Sequence, residues 1–123
     1  MTISDGVVID PQAQARLHEW GGPKLLTQML KLFLENAPQR VEQVRKGVTD
    51  SALKEVERGA HSLKSSAANV GAVTVSKIAA EIEDKASGDD AAAVVALLPR
   101  LEAAFGQAQA QLATSLAGME AGA

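Results

Sequence analysis

The chain has 123 residues, a formal charge of −3, 46% apolar side chains and only 2% aromatic ones (Trp20, Phe33, Phe105), which is enough for one core but not for a catalytic plus a regulatory domain. The acidic balance argues against a nucleic-acid backbone as main partner, and the absence of cysteine removes disulfides, thiolate chemistry and Cys-type zinc sites together. With no basic segment ahead of an apolar core in MTISDGVVIDP, and no run near the roughly 18 apolar residues of a membrane span, the chain reads as a soluble, cytoplasmic domain with no membrane partner.

Asp10-Pro11 is a helix start, with Asp capping orphan amides and proline fitting the first turn, and Ala13, Leu17 and Trp20 follow at helical spacing. Gly21-Gly22 ends this short helix. From Pro23 a second apolar pattern, Leu25, Leu26, Met29, Leu30, Phe33, Leu34, Val41, Val44 and Val48, predicts a long amphipathic helix, and Pro38 inside it predicts a kink. Thr49-Asp50-Ser51 reads as turn and cap for a helix over 52–70 whose core stripe is Leu53, Val56, Ala60, Leu63, Ala67 and Val70. Gly71 ends it in the left-handed conformation. A helix over 74–86 turns Val75, Ile78, Ala79 and Ile82 inward, and Ser87 to Asp90 supplies a turn and a cap. The last helix, about 91–116, carries Val94, Val95, Leu98, Leu101, Phe105, Ala108 and Leu112. Pro99 falls within it, but its cost of about 3 kcal/mol is smaller than burial of the neighbouring leucines at about 1.5–3 kcal/mol each, so a bend is expected and not a break. The expectation is an all-α, antiparallel up-down-up-down four-helix bundle with a short extra N-terminal helix, one domain over 1–123, folded from about 10 to 116, with MEAGA in a frayed tail.

At about 100° per residue, His61 lies roughly 160° from Leu63 and faces water. Lys54 and Arg58 flank it on one side; Lys64, Ser65 and Ala68 flank it on the other. An exposed imidazole with an ammonium one turn away suits transient covalent capture of an anionic group, the neutral ring nitrogen acting as nucleophile and Lys64 stabilising charge on a phosphoryl oxygen. Ala67 is accounted for by helix packing; for Ser65 and Ala68, on the open side, packing explains less.

The stretch HSLKSSAANVGA resembles the signature of histidine-containing phosphotransfer (HPt) domains of two-component phosphorelays: His, any residue, an aliphatic, Lys, Gly or Ser, two small residues, two variable ones, an aliphatic, Gly. Every defined position from His61 to Gly71 agrees. The resemblance implies that His61 accepts the phosphoryl group, that Lys64 helps to hold it, and that Ser65 and Gly71 keep the site uncrowded. Family members often carry a polar residue, commonly Gln, near the phosphorylated ring on the next helix; the corresponding position here is Glu83, in EIEDK, a carboxylate able to accept a hydrogen bond from the imidazole.

Rival readings are weaker. Gly59 followed by Lys64-Ser65 partly matches a phosphate-binding loop, but Leu63 replaces the second glycine and the stretch lies inside a helix. A Ser/His hydrolase built on His61 and Ser65 lacks a strained nucleophile turn. Only His18 and His61 are available to a metal, without H-E-x-x-H spacing, and His18 reads as structural. The chain is therefore expected to be a monomeric phosphorelay intermediate with no autonomous kinase activity and no cofactor. It would take phosphate reversibly from the receiver domain of a hybrid sensor histidine kinase and pass it to a response regulator, any Mg²⁺ belonging to the receiver. The docking surface is expected around His61, rimmed by Arg58 and Lys64, with Ser62, Ser65, Ala68 and Asn69 in contact. A helical module that binds a receiver without transferring phosphate is the alternative. The lack of an attached receiver or kinase favours a free-standing protein.

Overall fold

The apolar periodicity becomes four helices within residues 7–122, the part of the chain that the computed structural model describes: α1 (Pro11–Thr49), α2 (Leu53–Asn69), α3 (Val73–Ser87) and α4 (Ala91–Gly122). Residues 1–6, on which part of the leader reading rests, lie outside the described residues, as does Ala123. Asp10 caps α1 as expected, its Oδ1 accepting from the Gln12 amide at 2.9 Å. The short N-terminal helix is present as the first segment of α1, set off by non-helical backbone at Gly21 and Gly22. At φ +70° Gly22 occupies the left-handed region that a residue with a Cβ resists. Beyond it helical dihedrals run unbroken through Pro38, flanked by the buried Ala37 and Val41, so burial on the core side outweighs the lost hydrogen bond. Pro99 is likewise absorbed: it is exposed, and α4 continues through it between the buried Leu97 and Leu101.

Three-residue turns join the helices, which forces antiparallel neighbours. The registers agree, since Arg45 of α1 pairs with Glu102 of α4 while the earlier Lys31 pairs with the later Glu120. Each helix packs on its neighbours in sequence and α4 closes the ring on α1. The core between them is aliphatic, with Leu30, Val44, Leu63, Ile82, Leu101 and Leu112 fully buried. Phe33 and Phe105 meet across it at 6.1 Å between ring centres, tilted by 56°.

Several expectations need correction. Trp20 is 71% and Val95 55% exposed: Trp20 stands at the Gly21-Gly22 break, and Val95 lies one residue, about 100°, around the helix from the buried Val94. Ser51 does not cap α2; it takes a positive φ of 55°, Ala52 holds the cap position without a side-chain bond, and Asp50 instead closes α1 through its amide to Lys46. Nor does α4 end near Leu116, because Leu116 and Met119 pack against the core and Glu120 reaches Lys31 at 2.9 Å, carrying the helix to Gly122. Among the described residues, Ala91–Ala121 is one helix long and apolar enough by length and composition to cross a membrane, more than the sequence reading allowed. Its stripe of Val94, Leu97, Leu101, Phe105 and Leu112 is occupied by the bundle core.

An extended N-terminal segment was not legible in the sequence. Val8 and Asp10 lie along the α2–α3 turn, with Asp10 N–H donating to the Gly71 carbonyl (2.7 Å), Val73 N–H to the Val8 carbonyl (3.0 Å) and Val8 N–H to Thr74 Oγ1 (2.8 Å).

Candidate functional site

The helix α2 divides into four strips. Val56, Ala60, Leu63 and Ala67 are buried and seat it in the bundle. His61, Ser65 and Ala68 form its open crest, with the His61 side chain 62% exposed. Between these lie two flanks, Lys64 on the side of α3 and Ser62 with Asn69 on the side of α1.

Glu83 occupies the α3 flank because it follows the buried Ile82 and so sits at the edge of the core stripe, with its side chain 21% exposed. Its Oε1 accepts from Lys64 Nζ at 2.7 Å and its Oε2 lies 2.7 Å from His61 Nδ1. Glu83 is held below the ordinary carboxylate range, first by the hydrogen bond from Lys64 and next by that from His61, against the opposing effect of partial burial. An ionised carboxylate is acceptor-only, so Nδ1 must carry the proton and donate it. That fixes the tautomer. In the neutral ring Nε2 keeps its lone pair, and among the described residues it has no hydrogen-bond partner.

The sequence-derived residues are therefore brought together in part. His61, Lys64 and Glu83 form one hydrogen-bonded chain; Ser65 and Ala68 leave the crest open; Arg58, one turn before His61, is exposed, with its Nη1 2.7 Å from Glu55 Oε2. Gly71 stands apart. It is buried at the far end of α2, takes φ +81°, and a Cβ there would come within 2.5 Å of the Asp10 carbonyl, so it serves the joint with the N-terminal segment and offers no surface to a partner.

Two features escaped sequence reading. Ser76 Oγ donates to the Lys64 carbonyl at 3.0 Å, fastening α3 to α2 beneath the site; a lone serine on an amphipathic helix gives no sign of that. A groove of about 240 Å³ also runs beside the crest, between Met29, Leu32, Asn36 and Arg40 of α1 and Ser62 and Asn69 of α2. The available signal was Leu32, a large apolar residue off the core stripe and 49% exposed.

The family model of the Hpt domain matches residues 28–118. No curated protein sequence matches the chain significantly. Among solved structures, histidine-containing phosphotransfer protein B of Pseudomonas aeruginosa PAO1 superposes with a TM-score of 0.82 at 20% identity, over 88% of this chain and 93% of that one. A putative histidine-containing phosphotransfer protein from rice gives 0.80 at 18% identity, over 95% and 84%. A histidine-containing phosphotransfer protein from Medicago truncatula gives 0.74 at 15%, over 91% and 78%. These likenesses establish the bundle, and with the family match over most of its length the chain belongs to the Hpt domain family, the histidine-containing phosphotransfer domains of phosphorelays.

Proposed function

We propose that this chain is a phosphorelay intermediate in which Nε2 of His61 takes a phosphoryl group from an aspartyl phosphate on the receiver domain of a hybrid sensor kinase and gives it to the receiver of a response regulator. In the first step the Nε2 lone pair forms the N–P bond while the P–O bond to the aspartate breaks, its electron pair leaving with the carboxylate. No proton has to move. Nδ1 keeps its hydrogen, and the positive charge that the ring gains faces the Glu83 carboxylate 2.7 Å away. The second transfer is the reverse, with the N–P electrons returning to Nε2 as an aspartate oxygen attacks phosphorus. Lys64 stands one turn from the ring and keeps Glu83 ionised. Mg²⁺ is assigned to the receiver. The crest and the adjoining groove, with Arg40 and Arg58 at its margin, suit an acidic receiver pocket, and the chain works as a cytoplasmic monomer.

The observation that carries this reading is the His61–Glu83 bond, which orients an otherwise open ring. The test is to incubate the protein with a phosphorylated receiver. Acid-labile, base-stable label on the wild type and none on His61→Gln is expected. Binding without label on the wild type would identify a non-transferring module; equal labelling of His61→Gln would reject His61 as acceptor.

A further inference from the structure

The phosphoryl group on His61 needs a cation, and the lysine of the signature is turned elsewhere. Lys64 Nζ lies on Glu83 Oε1, so that ammonium is committed to the carboxylate on the α3 side of the ring. The same carboxylate draws Nδ1 toward α3, which aims Nε2, on the opposite side of the ring, away from α3. On a helical wheel Lys64 and Arg58 lie about 60° to either side of His61, and Lys54 about 20° from it on the Arg58 side. Side chains of a helix lean toward its N-terminus, so the His61 ring leans over the turn that carries Arg58. The cleft found there is lined by Lys54, Glu57, Arg58, His61, Ser62 and Glu83. Glu57 and Glu83 also border the depression next to Lys64, placing both carboxylates on the α3 side, where they repel a phosphoryl dianion, and leaving Lys54 and Arg58 on the other.

We infer that Arg58 is the residue that binds the phosphoryl oxygens, with Lys54 behind it, while Lys64 acts only through Glu83. This rests on His61 being the acceptor. Before transfer the Arg58 guanidinium holds Glu55 in an exposed ion pair, 2.7 Å, of a kind that contributes little. Glu55 keeps a second partner when the guanidinium leaves, because Gln43 Nε2 donates to its other oxygen at 3.2 Å. The planar fork of arginine can then donate two N–H groups to two phosphoryl oxygens, with no bond to hydrogen broken.

The experiment uses phosphoramidate as a small-molecule donor, so that no receiver docking intervenes, and follows phosphohistidine by ³¹P NMR across pH. Arg58→Ala should accept phosphate about tenfold more slowly and should raise the titration midpoint of the bound phosphoryl group by about 0.5 unit, as loss of a neighbouring cation requires. Arg58→Gln, which keeps length without charge, should match it, and Lys64→Ala should leave that midpoint in place. A wild-type midpoint in both Arg58 variants, or a shift in Lys64→Ala alone, would overturn the assignment. A wild type that shows no phosphohistidine resonance would reject the acceptor reading itself.

Discussion

Three side chains, His61, Glu83 and Lys64, make one chain of hydrogen bonds in which the middle member is a carboxylate. Because the Lys64 bond is the first cause of the lowered Glu83 pKa, Lys64→Ala should raise the midpoint of Glu83, read by NMR of its carboxyl carbon; an unchanged midpoint would show that the ion pair does not form in solution. The sign of the stability effect follows. A carboxyl group whose pKa is depressed on folding stabilises the fold above the unfolded value, about 4.3 for Glu, and loses that contribution as pH falls through the folded value. The wild type should therefore exceed Glu83→Ala in stability near neutrality, with the gap closing below about pH 4. Transfer should also fall about tenfold or more in Glu83→Ala, as when a group orienting a reactive imidazole is removed, and Glu83→Gln, which still offers an acceptor oxygen, should recover part of it. At this scale His61 and Lys64 were legible, since helical phase alone puts both outward. The pairing of Lys64 with Glu83 was not, because it depends on the register between two helices.

The helices themselves were legible from period, caps and glycines. Core positions such as Leu63 and Ile82 fell where the 3.6-residue pattern put them. The failures have physical causes: a cap needs a particular backbone entry, which Ser51 lacks at φ 55°, and a tail such as Leu116–Gly122 stays helical when another helix supplies Lys31 and an apolar surface to meet it. The joint at Gly71 gives the prediction at this scale. A Cβ there meets both a positive φ and the Asp10 carbonyl at 2.5 Å, so Gly71→Ala should cost about 2 kcal/mol in urea unfolding. Stability equal to the wild type would mean that the N-terminal segment does not rest on the α2–α3 turn.

For the whole molecule, a net charge of −3 hides a local arrangement in which Lys54, Arg58 and Arg40 stand near the exposed histidine and its groove. Long-range attraction between this rim and an acidic receiver pocket acts over about 8 Å at physiological ionic strength, so kcat/KM for transfer should decline with added salt. A rate flat from low to high salt would remove steering from the account. Composition read the fold correctly as helical, yet it could not show the groove, which requires Leu32 of α1 and Asn69 of α2 to meet. The central claim is narrower than membership of the family: His61 is the acceptor and Glu83 selects which of its nitrogens reacts. Long-range ¹H–¹⁵N correlation of the phosphorylated protein tests both at once. The expected result is phosphorus coupled to Nε2 of His61 with Nδ1 still protonated; a phosphoryl group on Nδ1, or on any residue other than His61, would contradict it.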